Sequence, residues 1–275
     1  MARCWMVAAL IVAGFAAFAA AAEEKHVLVL AQARDHPPET HEYRAGARII
    51  AELLEGLPGI RVTVADADEP FPEGPALLDT ADAVVLFLGE GARWMQLDAE
   101  RLAAIERLAE RGGGIVGLHW GIGARDGRYV ERHLELMGGC HGGDDRQYIL
   151  CETTVRVAQP RHPVTYGIDE VFRLDDEYYY RLKFAREGRV VPLLEADIED
   201  RWETVAWAFE RPDGGRAFGF AGLHYHRNWQ REECRRLVLQ GIAWTLGIDI
   251  PAEGFIADVA EETLTYIPAE PDDRQ

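Results

Sequence analysis

Apolar and polar positions recur along this chain with two different periods, and their order predicts the fold. Residues 26–31, His-Val-Leu-Val-Leu-Ala, form a continuous apolar run of the kind a strand covered on both faces requires. Residues 42–54 then repeat apolar side chains at helical spacing, with Thr40 as an N-cap candidate and Leu57-Pro58-Gly59 as the stop. Residues 60–64 alternate as a second strand, and residues 81–88 read as a third. Residues 98–110 form an amphipathic helix with Asp98 at its N-cap, ended by the glycines at 112–114. A strand into His119 follows. This succession predicts right-handed crossovers and a doubly wound parallel α/β sheet with helices on both faces. The second half adds strands at 148–157, 171–174, 190–195, 204–210 and 216–220, the last two joined by a Pro-Asp-Gly-Gly turn of hairpin type. A helix over 232–246, capped by Gly247, closes the pattern.

Composition changes this picture at the two ends. The 275 residues, 48% hydrophobic, supply a core for one large domain or two small ones. Residues 1–22 stand apart. A basic start, an apolar run over 5–20 and a small-residue Ala-Ala-Ala stretch read as a secretory signal cleaved after Ala20 or Ala22, with a retained anchor as the alternative. The expected product is an exported, periplasmic or extracellular protein, with one domain over 23–250. An acidic, proline-bearing tail over 251–275 then wraps the surface or is disordered. Cys140, Cys151 and Cys234 remain after cleavage. An odd count gives no disulfide framework, so a Cys140 to Cys151 bridge and buried free thiols both stay open. A formal charge of -18 disfavours nucleic acid and anionic membranes as partners and leaves a small molecule as the natural one.

Four stretches, three of them bearing histidines, fall at predicted strand ends or loops, where open α/β sheets bind their ligands. Residues 35–43, Asp-His-Pro-Pro-Glu-Thr-His-Glu-Tyr, put His36, His41 and Glu42 in a polar loop leading into a helix, suited to sugar hydroxyls or a metal. Residues 117–121, Gly-Leu-His-Trp-Gly, have the small flanking residues of a nucleophile elbow with His119 at its apex and Trp120 beside it. Residues 175–180 set two aspartates and Glu177 before three tyrosines. Asp176 and Glu177 beside Tyr178 offer hydroxyl acceptors and a flat apolar face for a sugar ring. In residues 222–229, Gly-Leu-His-Tyr-His-Arg-Asn-Trp, an extended chain would turn His224 and His226 to one face as half of a metal site, with Asn228 nearby.

These stretches resemble the trehalose-utilisation (ThuA-like) family, in particular its exported members. The motifs run from about His26 to Pro251. They comprise His36 with His41-Glu42, the glycines and strand into His119, His162-Pro163 to Ile168, Asp176 to Tyr179, Ala206-Trp207 leading to 214–220, residues 222–229 and Gly241 to Trp244. The resemblance implies a flavodoxin-like fold similar to class I glutamine amidotransferases. In that comparison His119 takes the elbow cysteine's position, His224 the histidine's and His226 the glutamate's. A thioester route to glutamine hydrolysis is therefore disfavoured, because no thiolate stands at the elbow. The expectation is a histidine cluster of His119, His224 and His226 holding a divalent metal such as zinc, with Glu177 or His36 as a further ligand or base. His119, His224 and Glu177 would be catalytic; His36, His41, Glu42, Asp176, Tyr178, Trp120 and Asn228 would bind substrate. The family implies action on a disaccharide or its 3-keto derivative by isomerisation or glycosidic cleavage. The alternative is a non-catalytic carbohydrate-binding or scaffold domain of the same fold.

Overall fold

The strands predicted from the first half assemble in the expected parallel order. A computed structural model describes residues 24–266. β1 (Lys25–Ala31), β2 (Ile60–Asp66), β3 (Ala83–Phe87), β4 (Gly114–Leu118) and β12 (Arg216–Phe220) form the parallel half of a nine-stranded sheet, in the order β2-β1-β3-β4-β12. Every residue of β3 and β4 is buried, as the unbroken apolar runs require. The chain moves outward from β1 to β2 and returns from β2 to β3 to β4. Right-handed crossovers therefore put α1 (Tyr43–Glu55) on one face and α2 (Gly74–Thr80) with α4 (Ala99–Glu110) on the other. α6 (Glu232–Thr245) packs beside α1, and α5 (Val130–Met137) lies opposite it: a Cβ on Gly114 would meet Thr245, and one on Gly117 would meet Met137.

The second half extends the same sheet with antiparallel strands. β11 (Arg201–Glu210), β10 (Arg189–Ile198), β7 (Gln147–Val157) and β8 (Val171–Tyr180) continue it outward from β12 in that order. α3 (Gly91–Leu97) and a small three-stranded sheet of β5 (Gly123–Ala124), β6 (Gly139–Gly142) and β9 (Lys183–Phe184) fill the space beside the end of β4. β8 runs six residues beyond the predicted strand end at 174. Phe172, Leu174, Asp176 and Tyr178 all face inward, so the period of two continues straight through an acid that breaks the apolar pattern.

In a flat sheet, five strand spacings would place β8 roughly 24 Å from β4. The ring of Tyr179 on β8 nevertheless stacks on that of His119, directly after β4, with centroids 4.7 Å apart. The sheet must curl back on itself. Register shifts in β10 at Pro192/Leu194 and Leu194/Glu195 supply the bend that β-bulges produce.

Some local expectations change. Asp98 caps α4, accepting from the Arg101 amide at 2.7 Å. Thr40 does not cap α1; its hydroxyl donates to the Pro37 carbonyl, and Glu42 occupies the N-cap position. Cys140, Cys151 and Cys234 are free thiols. Residues 251–266 pack on the protein: Arg235 Nε donates to the Ala257 carbonyl at 2.7 Å and the Phe255 amide to Gln240 Oε1 at 2.8 Å. The expected signal, residues 1–22, lies outside the described residues, among which no helix is long and apolar enough to cross a membrane.

His133 on α5 is wholly buried, and its ring nitrogens have no hydrogen-bond partner among the described residues. Burial lowers its pKa from 6.5 to about 3. The unfolded chain therefore binds a proton that the folded chain refuses. This stability is intact above pH 6.5 and lost as pH falls toward 3, about 2 kcal/mol by pH 5. His133→Leu is expected to recover that difference. Between pH 7 and 5 its unfolding free energy in urea should fall by about 2 kcal/mol less than the parent's; equal falls would refute the assignment.

Candidate metal and carbohydrate site

Three loops leave the carboxyl ends of β1, β4 and β12 and carry His41, His119 and His224; β8 adds Glu177. Their backbones are strained where they converge. His41 (φ 50), His119 (φ 47) and Leu223 (φ 78) all adopt the left-handed region, at a cost of about 1–3 kcal/mol each that surrounding structure must offset. Gly121 makes the elbow possible, because a Cβ there would stand 2.1 Å from the Leu86 carbonyl oxygen. The His41 and His224 loops also hold one another. The His41 amide donates to the His224 carbonyl at 3.0 Å and the His226 amide to the Glu39 carbonyl at 2.8 Å.

One ligand atom from each of His41, His119, Glu177 and His224 lies within 4.8 Å of all the others, and all four residues are buried. His119 Nε2 is 2.9 Å from His41 Nε2, 3.3 Å from His224 Nδ1 and 3.4 Å from Glu177 Oε2; the last two are 3.3 Å apart. Tetrahedral zinc with bonds of about 2.1 Å separates its ligand atoms by about 3.4 Å, so the set has the right dimensions and donor types. The outer contacts fix the tautomers. His119 Nδ1 donates to the Ala221 carbonyl at 2.9 Å and His41 Nδ1 to Asp35 Oδ1 at 2.7 Å, leaving both Nε2 lone pairs aimed at each other.

Protonation favours ligation. Burial, then the proximity of the His119 imidazole, lower the His41 pKa to about 3 against the pull of Asp35, so its ring is neutral at neutral pH. Burial pushes the Glu177 carboxyl up, but its close contacts with the His119 and His224 imidazoles hold it well below the usual carboxylate range. Asp35 is likewise raised by burial and brought low by His41 and His36.

Beneath the cluster, Asp176 is fully buried. Its Oδ1 accepts from the Glu177 and His224 amides, each at 3.0 Å, and its Oδ2 from the Leu223 amide at 2.7 Å. This carboxylate fixes the loop that presents His224. Burial nonetheless raises its pKa.

A cleft of about 240 Å³ opens beside the cluster, with His36, His41, Glu177 and Tyr179 in its lining. Trp120 and His141 form its aromatic wall: His141 lies flat on Tyr179, centroids 3.9 Å apart, and Tyr179 Oη is 3.1 Å from His119 Nε2. His36 Nδ1 is 2.9 Å from Asp35 Oδ1. A larger groove of about 910 Å³, lined in part by Glu131, Lys183 and Phe209, contains none of the clustered histidines. Volume alone favours it, but the converging polar groups mark the smaller cleft.

Several predicted residues sit elsewhere. His226 is not with His119 and His224, because the chain is not extended there: Leu223 turns left-handed and a 3-10 turn starts at His226, whose ring faces Tyr266 at 5.7 Å. His41 stands in its place. Tyr178 is wholly buried and donates to the Leu174 carbonyl, Asn228 donates to the Asp175 carbonyl, and Glu42 braces Arg34 and the Glu39 amide. Asp176 supports a loop rather than facing the cleft. Tyr179, His141 and Asp35 were missed as site residues. His141 had a signal, since Gly139-Cys140-His141-Gly142 flanks a histidine with glycines much as the elbow does.

Comparison with known proteins places this geometry in context. A family model described as ThuA, trehalose utilisation, matches residues 26–245. A ThuA-like protein from Bacteroides uniformis is similar in structure, with a TM-score of 0.64 at 17% identity over 86% of this chain and 97% of that one. A ThuA-like protein from Parabacteroides merdae has a TM-score of 0.62 at 16% identity, over 82% and 91% of the two chains. A cytoplasmic protein from Salmonella typhimurium LT2 reaches 0.57 at 14% identity, over 82% and 99%. No curated protein matches.

Proposed function

Because the chain belongs to the ThuA trehalose-utilisation family, and so to carbohydrate utilisation, we propose that it is an exported, metal-dependent enzyme that cleaves or isomerises a 3-keto sugar in the cleft beside His119. The observation that carries this reading is the pair of Nε2 atoms of His41 and His119, 2.9 Å apart with both lone pairs inward. Two such lone pairs repel unless a proton or a metal ion lies between them, and Glu177 and His224 complete a four-donor set around that point, which favours the metal. A divalent cation such as zinc, when bound, supplies Lewis acidity toward a carbonyl and the negative charge that develops on it.

The remaining work falls to the chain's own side chains. The cleft is smaller than the roughly 300–1,000 Å³ of drug-sized pockets, which suits one sugar ring with any second unit projecting from the mouth. Trp120 and His141 offer that ring flat apolar faces. His36, oriented through Nδ1 by Asp35, presents Nε2 as a base for the proton on the carbon beside the keto group. The electron pair moves onto the keto oxygen. Its return expels the glycosidic oxygen from the next carbon, which leaves with a proton from solvent, or it collects a proton at another carbon in isomerisation. Asp35, shared by His36 and His41, couples the base to the ligand set.

Zinc titration of the full chain combined with turnover of 3-keto and unoxidised disaccharides tests the reading. One equivalent of zinc and zinc-dependent turnover of the keto sugar alone are expected. Sugar affinity without turnover would favour the non-catalytic alternative, and no metal uptake would overturn the centre.

A further inference from the structure

We propose that Arg146 forms an anion subsite in the cleft, and that its sugar substrate therefore bears an anionic oxygen group, a carboxylate or a phosphate. This rests on the reading of the cleft as a sugar site.

Neutral sugars are held through hydroxyls, which need carboxylates, amides and hydroxyls in two directions. This cleft offers few such groups: Tyr148 and Tyr179 contribute hydroxyls, but apart from the cluster member Glu177 its lining includes no carboxylate and no amide side chain, whereas Arg125 and Arg146 both line it. Arg146 is the more telling. It has no carboxylate within 4.0 Å among the described residues, and its guanidinium donates only to the Gly143 carbonyl of its own turn, at 3.1 Å. Arg125 is tied to Glu90, its guanidinium 2.5 Å from Oε1 and its amide 2.9 Å from Oε2, and stands 5.5 Å from the centre of the Trp120 ring. The rings of Trp120 and His141 are themselves 5.5 Å apart.

The arginine-bearing turn is also built to stay in place. Lys183 Nζ donates to the Gly142 carbonyl and to Asp145 Oδ1, both at 2.5 Å, clamping residues 142–146 between β6 and β9. A cation held on a pinned turn, without a counter-ion, at the mouth of a cleft is arranged for an external anion.

Calorimetric binding of glucuronate, glucose 6-phosphate and glucose to the full chain, with and without zinc, tests the subsite. One or both acids are expected to bind at least about tenfold more tightly than glucose, and the stronger of the two identifies carboxylate or phosphate. Arg146→Gln should abolish the preference while zinc content and thermal midpoint stay unchanged, and Arg146→Lys should retain part of it. Equal affinity for all three ligands overturns the proposal, as does a preference that survives Arg146→Gln. If the protein takes up no zinc, the reading of the metal centre fails, and the same three-ligand comparison on the metal-free chain still decides the subsite.

Discussion

In His119→Ala, zinc affinity is expected to fall by more than about a hundredfold, and turnover with it, because loss of a direct ligand exceeds the roughly 10–100-fold cost of losing an outer partner. Stability provides the sharper discriminator. A histidine that merely fills the core costs about 2–4 kcal/mol on truncation whether or not metal is present. Without a cation between them, the Nε2 lone pairs of His119 and His41, which the fold brings to 2.9 Å, would repel, and removing one ring would relieve that repulsion. The metal-free variant is therefore expected to unfold within about 1 kcal/mol of the metal-free parent. The parent alone then gains stability on adding zinc, by the amount that binding to the folded state dictates. Thermal or urea unfolding of both proteins, with zinc and with chelator, reads this directly. Equal losses in the two states would make His119 a packing residue.

Asp176→Asn is expected to lower stability by about 2–4 kcal/mol and to weaken zinc binding without touching a ligand. Three backbone amides point at this carboxylate. An asparagine keeps one acceptor oxygen and sets an NH2 donor against an N–H donor, leaving a buried amide without a partner. The slack appears at Leu223 and His224, the stretch that aims one imidazole. Urea unfolding and zinc titration of the variant measure the two effects separately. A change below about 0.5 kcal/mol, or unaltered zinc affinity, would show that the 222–224 loop holds its shape without this charge.

Much of the scaffold was legible because periodicity reports burial. The apolar runs at β1, β3 and β4 could only be strands covered on both faces, and Asp98 announced the start of α4. The site was half legible for a related reason. His119 and His224 follow strands, so their positions above the sheet came from the topology. His41 and His226 exchanged expected places, because ligand direction depended on a left-handed Leu223 and a 3-10 turn that His-x-His spacing does not encode. β8 was cut short at Leu174 since an aspartate on an inward position reads as a strand end, until its three amide partners, two of them 47 and 48 residues away, are known. Tyr179 could not be placed from sequence, for it meets His119 only where the sheet curls.

That curl makes the two halves of the sheet unequal partners in one candidate metal site. Three donors stand on loops of the parallel half and the fourth, Glu177, on its far antiparallel edge. Any ion they share would act as a staple across the ends of a single sheet, and its binding free energy would add to the cohesion of the two halves. Opening the curve of β10 would then release the ion, and releasing the ion would free the antiparallel edge to breathe.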